Sequence, residues 1–249
     1  MNQKNTELDT VFMITLDTRT YRKDMMEENK QSECLKEVRA IPYEQAVPWF
    51  IEKHYAKRVP SISWAFGLYL NGKLEGVVSY GTPASSTLLS GVCGKENADK
   101  VIELNRLVLN EGLPKNSTSF LVGKSLRLLP KPKIVVSYAD TKQGHIGFIY
   151  QACNFIYTGL SSKFLDPKVK GLEHQHHATY AHGMTNRELK DKFGDRLYFE
   201  ERPRKHRYIY FVGCPELKEK LNYKILPYPK GKSKRYDSGK EIVTQNILF

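Results

Sequence analysis

The stretch GHIGFIYQACNFIYTG, residues 144–159, decides the fold class of this chain. It follows the apolar run Ile134–Tyr138, whose length and β-branched residues predict a β-strand. Gly144 and Gly147 allow a tight turn, and FIYTG (155–159) again predicts a strand. Between the turn and that strand, apolar residues recur at helical spacing: Ile146, Ile149, Tyr150 and Cys153. The order is therefore strand, helix, strand.

Asp140 stands at the carboxyl end of the first of these strands. In open α/β sheets, ligands bind outside the carboxyl ends of the strands, which makes Asp140 a candidate catalytic residue. The same residue can instead accept a backbone hydrogen bond in an Asx-turn or helix cap. Both interpretations stay open from the residues alone.

Length and composition predict one soluble domain. A chain of 249 residues with 40% hydrophobic residues can bury one core, which we place over residues 1–230 with an excursion at 19–37 and a basic tail at 231–249. No apolar run reaches the ~18 residues that cross a bilayer. The start of the chain lacks a signal-peptide pattern, and the four cysteines form no CxxC pair. We expect a cytoplasmic protein.

The charge favours a phosphate-rich partner. Lys and Arg number 39 against 27 acidic residues, a net charge of +12. Segments 202–211 and 228–236 interleave basic side chains, which neutralise phosphates, with aromatic ones, which stack on bases. A solvated strand edge followed by a tail is the alternative. The candidate DNA-binding residues are Arg202, Arg204, Lys205, Arg207, Lys230 and Lys232.

Helices alternate with strands along the rest of the chain, which indicates an α/β protein with a mixed sheet. The hairpin turns at Asn71-Gly72, the pair favoured in type I′ turns, and Pro48 stands near the first turn of its helix. The predicted elements are a strand at 10–17, a helix at 43–58, a β-hairpin at 63–81, a strand at 101–110, a helix at 116–130, a helix at 185–194 and a strand at 206–213.

Tyr150, Phe155 and Gly159 resemble matching positions of the GCN5-related N-acetyltransferases. ELNRLVLN (103–110) resembles the fourth strand of that superfamily, which receives acetyl-CoA, and VGKSLRLL (122–129) resembles the end of its pyrophosphate loop and the next helix. The resemblance implies a mixed, mostly antiparallel sheet flanked by helices, with a basic C-terminal extension. Only Gly123 matches the usual glycine-rich loop, while 116–119 can still offer donors to phosphates. The implied acetyl-CoA-binding residues are Leu107, Leu109, Ser117, Gly123, Lys124 and Ser125.

Blocks between residues 43 and 230 resemble, in order, the Mom family of bacteriophage DNA-modification proteins. That family alters the N6 amine of adenine in DNA to a methylcarbamoyl adduct, which blocks restriction enzymes. The resemblance implies an acyltransferase-like enzyme that acts on double-stranded DNA in the cytoplasm of a bacterial host and uses acetyl-CoA. An iron requirement proposed for the family adds iron as a candidate cofactor, with His54 and Tyr55 as candidate ligands. The implied catalytic residues are His54, Tyr55, Asp140 and Tyr150.

Two other functions remain open. An ordinary N-acetyltransferase acting on a protein or small-molecule amine would keep the acetyl-CoA cleft without needing basic segments. A non-catalytic DNA-binding protein would keep the charge and ignore acetyl-CoA. The charge of +12 favours DNA over the first, and the segment from Asp140 to Tyr150 favours catalysis over the second.

Overall fold

The computed structural model of the protein describes residues 35–175 and 178–232. The predicted strand at 10–17 and the tail from 233 onward lie outside the described residues. The division into a domain over 1–230 and a tail over 231–249 therefore stays a prediction.

A mixed sheet of seven strands forms the body of the described chain, in the order β1-β2-β3-β4-β5-β9-β6. Neighbouring strands are antiparallel except for β4 and β5, which run parallel. β7 and β8 form a separate two-stranded sheet. The strands are β1 (Lys36–Ala40), β2 (Trp64–Leu70), β3 (Lys73–Gly81), β4 (Val101–Leu109), β5 (Lys133–Asp140), β6 (Ile156–Leu160), β7 (Leu165–Val169), β8 (Leu197–Glu201) and β9 (Lys205–Val212).

Helices flank the main sheet, so the predicted acetyltransferase-like α/β fold is confirmed. The α-helices are α1 (Tyr43–Pro48), α2 (Ser86–Cys93), α3 (Ser117–Leu128), α4 (Phe148–Ala152), α5 (Ala178–Ala181) and α6 (Asn186–Phe193). A π-helix (Trp49–Lys53) continues α1, and 3₁₀ turns cover Lys95–Lys100, Thr141–Gln143, Gly194–Arg196 and Pro215–Lys220. Among the described residues, no helix is long and apolar enough to span a membrane.

The hairpin of β2 and β3 confirms the turn prediction. Asn71 and Gly72 both have positive φ, 49° and 81°, as a type I′ turn requires. Two hydrophobic clusters then fix helices to the sheet. One joins α1 and its π-helix to β2 and β3 through Ala46, Trp49, Phe50, Tyr69, Leu74 and Val77. The other joins α2 to β4, β5 and β9 through Leu88, Val92, Val101, Ile134, Val136 and Ile209.

The helix predicted over 43–58 is shorter than expected, because Pro48 lies in its second turn and not in its first. Proline has no N–H to donate to the carbonyl of Glu44, so the α-helical ladder breaks there. The next turn widens into a π-helix, closed by a 3.1 Å bond from the His54 N–H to the Trp49 carbonyl. The chain becomes extended at His54, which is buried.

Three strands, β1, β7 and β8, and two short helices, α2 and α5, were missed. β1 occupies part of the excursion predicted at 19–37, but its sequence KEVRA is polar, as suits an exposed edge strand. β7 contains Pro167, which argues against a strand in sequence patterns, and β8 ends in two acidic residues. α2 lies in a segment for which no element was predicted. β6, by contrast, appears one residue after the predicted start at Phe155.

β4 and β5 pair over only part of their length. Their register runs from Val101 opposite Ile134 to Leu104 opposite Ser137, and beyond that point the strands separate. β5 continues along β9 as far as Asp140. The outer half of β4 therefore has a strand partner only on its β3 side.

A β-bulge at Asn105 marks the point of separation. The register between β3 and β4 shifts so that Asn105 is the extra residue between the two pairs formed by Leu104 and Arg106. Its side-chain oxygen accepts a 2.7 Å bond from the Ser79 hydroxyl, and its amide donates 2.6 Å to the Ser61 carbonyl. These two bonds fix the bend of β4 away from β5.

Gly147, just before α4, is a position where a side chain should be poorly tolerated. Its φ is 83°, and an added Cβ would lie 2.4 Å from the buried ring of Tyr208. Gly147→Ala should lower the free energy of unfolding by about 1–2 kcal/mol for left-handed strain and a further 1–3 kcal/mol for overpacking. Urea titration measures both.

Gly112→Ala is the matched control, because Gly112 has a φ of 69° and nothing within 4 Å of an added Cβ. It should carry only the strain cost. Equal destabilisation by both substitutions would show that Gly147 does not pack against Tyr208 as described.

Candidate active site

A cavity of about 460 Å³ lies where β4 and β5 part. Residues 103–109 of β4 form one wall, and Tyr138 and Ala139 of β5 lie across from them. The lining also includes His54 and Tyr55, residues 147–150 at the start of α4, and Lys205. Three of the four residues implied as catalytic, His54, Tyr55 and Tyr150, thus line one cavity.

Asp140 lies beside this cavity and is buried. One carboxylate oxygen accepts a 2.9 Å bond from the Lys142 N–H, so the Asx-turn interpretation is confirmed. The other oxygen lies 3.2 Å from the Lys205 ammonium, and the Tyr55 phenol also hydrogen-bonds to the carboxylate. Three donors therefore hold Asp140, and both of its oxygens are engaged.

His54 and Tyr55 both stay neutral at ordinary pH. Burial, with Arg106 nearby, lowers the pKa of His54 to about 3. Its Nδ1 accepts a 3.0 Å bond from the Ala56 N–H, so the single ring proton is on Nε2. Burial and the Asp140 carboxylate raise the pKa of Tyr55. The pair, with ring centroids 4.3 Å apart, supplies hydrogen-bond donors and no proton acceptor.

Tyr150 extends from α4 to the cavity and contacts the Tyr208 and Phe155 rings. Burial raises the pKa of Tyr150 to about 12, partly opposed by a hydrogen bond with Ser137. The phenol therefore carries its proton throughout the physiological range and can donate it to a more basic atom that enters the cavity.

Glu103 lines the cavity and was not among the predicted site residues. Burial raises its pKa, opposed by the positive charges of Lys205 and Arg106. Within the described residues, no hydrogen bond or ion pair shorter than 4 Å engages its carboxylate. Such a group is a better proton acceptor than Asp140. One signal in the sequence marks it: an acidic residue inside the otherwise apolar start of VIELNRLVLN.

Two positively charged side chains, Arg106 and Lys205, line the cavity together with Glu103. Arg106 donates to the backbone carbonyls of Asn105 and Arg58, and its buried Nε–H has no hydrogen-bond partner in the described part of the chain. Lys205, predicted to bind DNA, instead lines the cavity and pairs with Asp140. The cavity thus holds acidic, basic and neutral polar groups within one small volume.

The residues implied for acetyl-CoA binding do not all lie in one place. Leu107 and Leu109 line the cavity on the unpaired part of β4. Gly123 lines a second cavity of about 400 Å³ beside α3, and Lys124 is exposed with its ammonium 5.7 Å from the Phe120 ring. Their roles stay predictions.

Ser117 and Ser125 point into the protein. The Ser117 hydroxyl donates a 2.6 Å bond to the Pro114 carbonyl. The Ser125 side chain is fully buried, 2.7 Å from the Tyr80 hydroxyl, and donates to the Val122 carbonyl. Ser125 lines neither cavity, so any influence on a donor molecule acts through α3.

The first turn of α3 has no side-chain cap. Asn116 adopts a left-handed conformation with φ 68° and makes no capping hydrogen bond. The first N–H groups of a helix have no partner within it and attract anions when no side chain caps them. Thr118 in this turn lines the large cavity, and Ser119 lines the second one.

The remaining residues predicted to bind DNA lie outside the cavity. Arg202 forms a two-pronged ion pair with Asp166, with 2.6–3.0 Å contacts. Arg204 donates to the carbonyls of Leu160 and Ser161. Arg207 bonds Thr158 and covers the Tyr223 ring, while Lys230 and Lys232 are exposed.

The described residues do not fit an iron site. Among residues 35–175 and 178–232, no three His, Cys, Asp or Glu side chains converge closely enough to hold a metal ion. The Nδ1 atom of His54 is occupied by a backbone N–H, and burial disfavours the phenolate form of Tyr55 that would bind iron.

Among solved structures, acetyltransferases are similar to this chain at low identity. A Salmonella typhimurium acetyltransferase structure with its cofactor acetyl-CoA is 9% identical, with a TM-score of 0.41, covering 72% of this chain and 94% of that one. A Bacillus subtilis acetyltransferase in complex with CoA is 12% identical, with a TM-score of 0.38 and coverage of 72% and 99%. Neither likeness assigns a role to a residue.

Sequence comparison is more specific. The methylcarbamoylase Mom of Escherichia phage Mu is 27% identical over 194 residues, which cover 72% of this chain and 77% of that protein. The sequence profile of the Mom protein family matches residues 36–230, which include β1–β9 and every cavity-lining residue named above. This match covers well over half of the chain, and the chain therefore belongs to the Mom protein family.

Proposed function

We propose that this protein modifies the N6 amine of adenine in double-stranded DNA with a methylcarbamoyl or related acyl-derived group from acetyl-CoA, and so protects the DNA from restriction. One observation carries the proposal: in a member of the Mom family, the free edge of β4 faces a cavity that holds an unpaired carboxylate and a neutral phenol. The relative named methylcarbamoylase supports the type of group.

The free edge of β4 fits the donor. Acetyl-CoA supplies an activated acyl group, and its amide-containing arm can hydrogen-bond to a strand edge that lacks a neighbour. Leu107 and Leu109 lie on that edge. The uncapped first turn of α3 has N–H groups for the donor's phosphates, beside the second cavity.

The amine needs a proton acceptor. The lone pair of adenine N6 is delocalised into the ring, so attack on an acyl carbon requires a base at the N–H. Glu103 suits this role because no described residue donates a hydrogen bond to its carboxylate and because burial raises its pKa. Asp140, held by three donors, then acts as the residue that positions Tyr55 and Lys205.

Tyr150 suits the leaving group. When the acyl carbon is transferred, the sulfur of the donor leaves as a thiolate, which is stabilised by a proton or hydrogen bond. The phenol of Tyr150 keeps its proton because burial raises its pKa to about 12. A methylcarbamoyl product contains a nitrogen that an acetyl group lacks, so that product requires a nitrogen-containing co-reactant.

DNA is the proposed acceptor because of the charge. The chain carries +12, and Lys230 and Lys232 are exposed at the end of the described chain. Fields of this sign attract phosphates and speed association with DNA.

Nucleoside mass spectrometry of plasmid DNA from expressing cells tests the function. The wild type should yield a heavier deoxyadenosine whose mass identifies the adduct. Glu103→Gln and Tyr150→Phe should each reduce its yield about 100-fold or more, because each removes a proton-transfer group. Asp99→Asn, on a 77% exposed side chain, is the control and should match the wild type. Unmodified DNA from soluble, folded wild type would refute the proposal and favour an acetyltransferase for other amines.

Glu103 should make the folded protein less stable as pH rises. Because its pKa is raised in the folded state, its contribution to the free energy of unfolding is fully present below the unfolded-state pKa and is lost as pH rises through the folded-state pKa. Glu103→Gln lacks this ionisation, so its free energy of unfolding should gain on the wild type as pH rises from the unfolded-state pKa, about 4.3, through the raised folded-state pKa. Urea titrations over a series of pH values measure the difference. A flat difference for Glu103→Gln would show that its carboxylate is not desolvated.

Lys205 separates a role in the cavity from one in DNA binding. Lys205→Gln breaks the ion pair with Asp140 and should abolish modification, while DNA affinity stays within about twofold of the wild type. The double variant Lys230→Gln/Lys232→Gln should instead lower the salt dependence of DNA affinity, with a slope smaller by about 2. Fluorescence anisotropy over a salt series measures both. A smaller slope of DNA affinity against salt concentration for Lys205→Gln would show instead that Lys205 contacts DNA phosphates.

A further inference from the structure

An apolar face lies on the two-stranded sheet of β7 and β8. This sheet belongs to the arm, which we define as residues 161–204 between β6 and β9. Paired residues in an antiparallel sheet share a face, and successive pairs alternate between faces. The pairs on the apolar face are Leu165 with Glu201, Pro167 with Phe199, and Val169 with Leu197.

One end of this face is covered and the other is open. At the covered end, Val169 is fully buried, Leu189 of α6 is 1% exposed, and the Tyr180 hydroxyl bonds the Pro167 carbonyl. At the open end, Leu165 is 64% exposed and Phe199 is 43% exposed. Phe164, 57% exposed, stands opposite Arg202 at the same end of the sheet but on its other face, with the Arg202 guanidinium 5.7 Å from the centre of its ring.

The open end is connected to the cavity through a short backbone segment. The Ser161 N–H donates to the Lys205 carbonyl and the Arg202 N–H donates to the Phe164 carbonyl, both at 2.8 Å. Lys205 lines the cavity, and Arg202, the partner of Phe164, stands three residues before it, a chain distance of at most about 11 Å. The exposed apolar side chains therefore lie one cross-strand step beyond that short segment.

The charges around the open end favour a polyanion on one side of it. Lys163 is exposed, and the Arg204 guanidinium lies beside Ser161. Arg202 is neutralised by Asp166, while Glu201 stands opposite Leu165 and repels phosphates there. A partner with phosphates along its edge and an apolar interior fits this pattern, and double-stranded DNA has both.

The size of the cavity adds a requirement. A volume of about 460 Å³ accommodates a small molecule or a single base but no duplex. An adenine must therefore leave the base stack to reach Glu103, and enzymes that extrude a base must offset the cost of unstacking. Apolar side chains inserted between base steps are a known physical means of doing so.

We propose that Phe164 and Leu165 form a wedge that inserts into the base stack of double-stranded DNA beside the target adenine and holds it extruded into the cavity. The proposal rests on the proposed function, since it requires DNA as the acceptor. A second copy of this chain, or residues 1–34 of the same chain, are the other occupants that the open end could accept.

The first test uses duplexes with 2-aminopurine in place of adenine, whose fluorescence rises when the base is unstacked. The wild type should raise the fluorescence on binding. Phe164→Ala/Leu165→Ala should lose the rise and bind about tenfold or more weakly, because aromatic stacking on bases is lost. Phe164→Leu, which keeps an insertable side chain, should retain most of the rise. Leu128→Ala, on a 51% exposed residue of α3, should behave as wild type.

A mispaired target separates a wedge from a merely structural role. Unstacking a mispaired base costs less, so the double variant should regain the fluorescence rise when the 2-aminopurine is mispaired. An equal loss on paired and mispaired targets would overturn the wedge. So would wild-type binding without any rise in fluorescence, although that result leaves the proposed function intact. No DNA binding by the wild type would refute the function itself.

A photoreactive benzoylphenylalanine at position 164 identifies the occupant directly. Crosslinks to the DNA strand next to the target base support the wedge. Crosslinks to a second copy of the chain, or to residues 1–34 in the presence of saturating DNA, would overturn it.

Discussion

The short parallel contact between β4 and β5 is the constraint on which the rest of the site depends. The two strands share a register only from Val101 to Leu104, after which β5 follows β9 and the bulge at Asn105 turns β4 away. A continuous parallel ladder would close the cavity and use the backbone groups of β4. Because the ladder stops, the outer half of β4 keeps an edge beside the cavity that no other described strand occupies.

Burial makes the charged forms of several side chains in the site unfavourable. It keeps the imidazole of His54 and the phenols of Tyr55 and Tyr150 neutral, and no described residue donates a hydrogen bond that would stabilise the charge of Glu103. Perturbed groups of this kind cluster at functional sites, where stability is sacrificed for reactivity. The hydrophobic clusters beneath α1 and α2 offset that cost.

Short-range sequence patterns predicted the local structure, but the composition of the site also depends on how distant strands pair. The Asn71-Gly72 turn, β5 and the helix carrying Tyr150 follow from short-range patterns. The four residues implied by the resemblance, His54, Tyr55, Asp140 and Tyr150, lie in or beside one cavity, and their catalytic roles stay predictions. Glu103 and Lys205 were not predicted as cavity residues, because their positions depend on the register between strands that are distant in the sequence. Lys205 reaches Asp140 only because β9 lies against β5, a pairing that no local pattern encodes.

The base of the arm has an evolutionary consequence. The chain leaves β6 and returns to β9 at a point closed by the Ser161–Lys205 backbone bond, so the ends of the insertion are already neighbours within the sheet. Lengthening or exchanging a loop whose ends are fixed costs little free energy. The length and sequence of the arm can therefore change without rebuilding the sheet that carries the cavity.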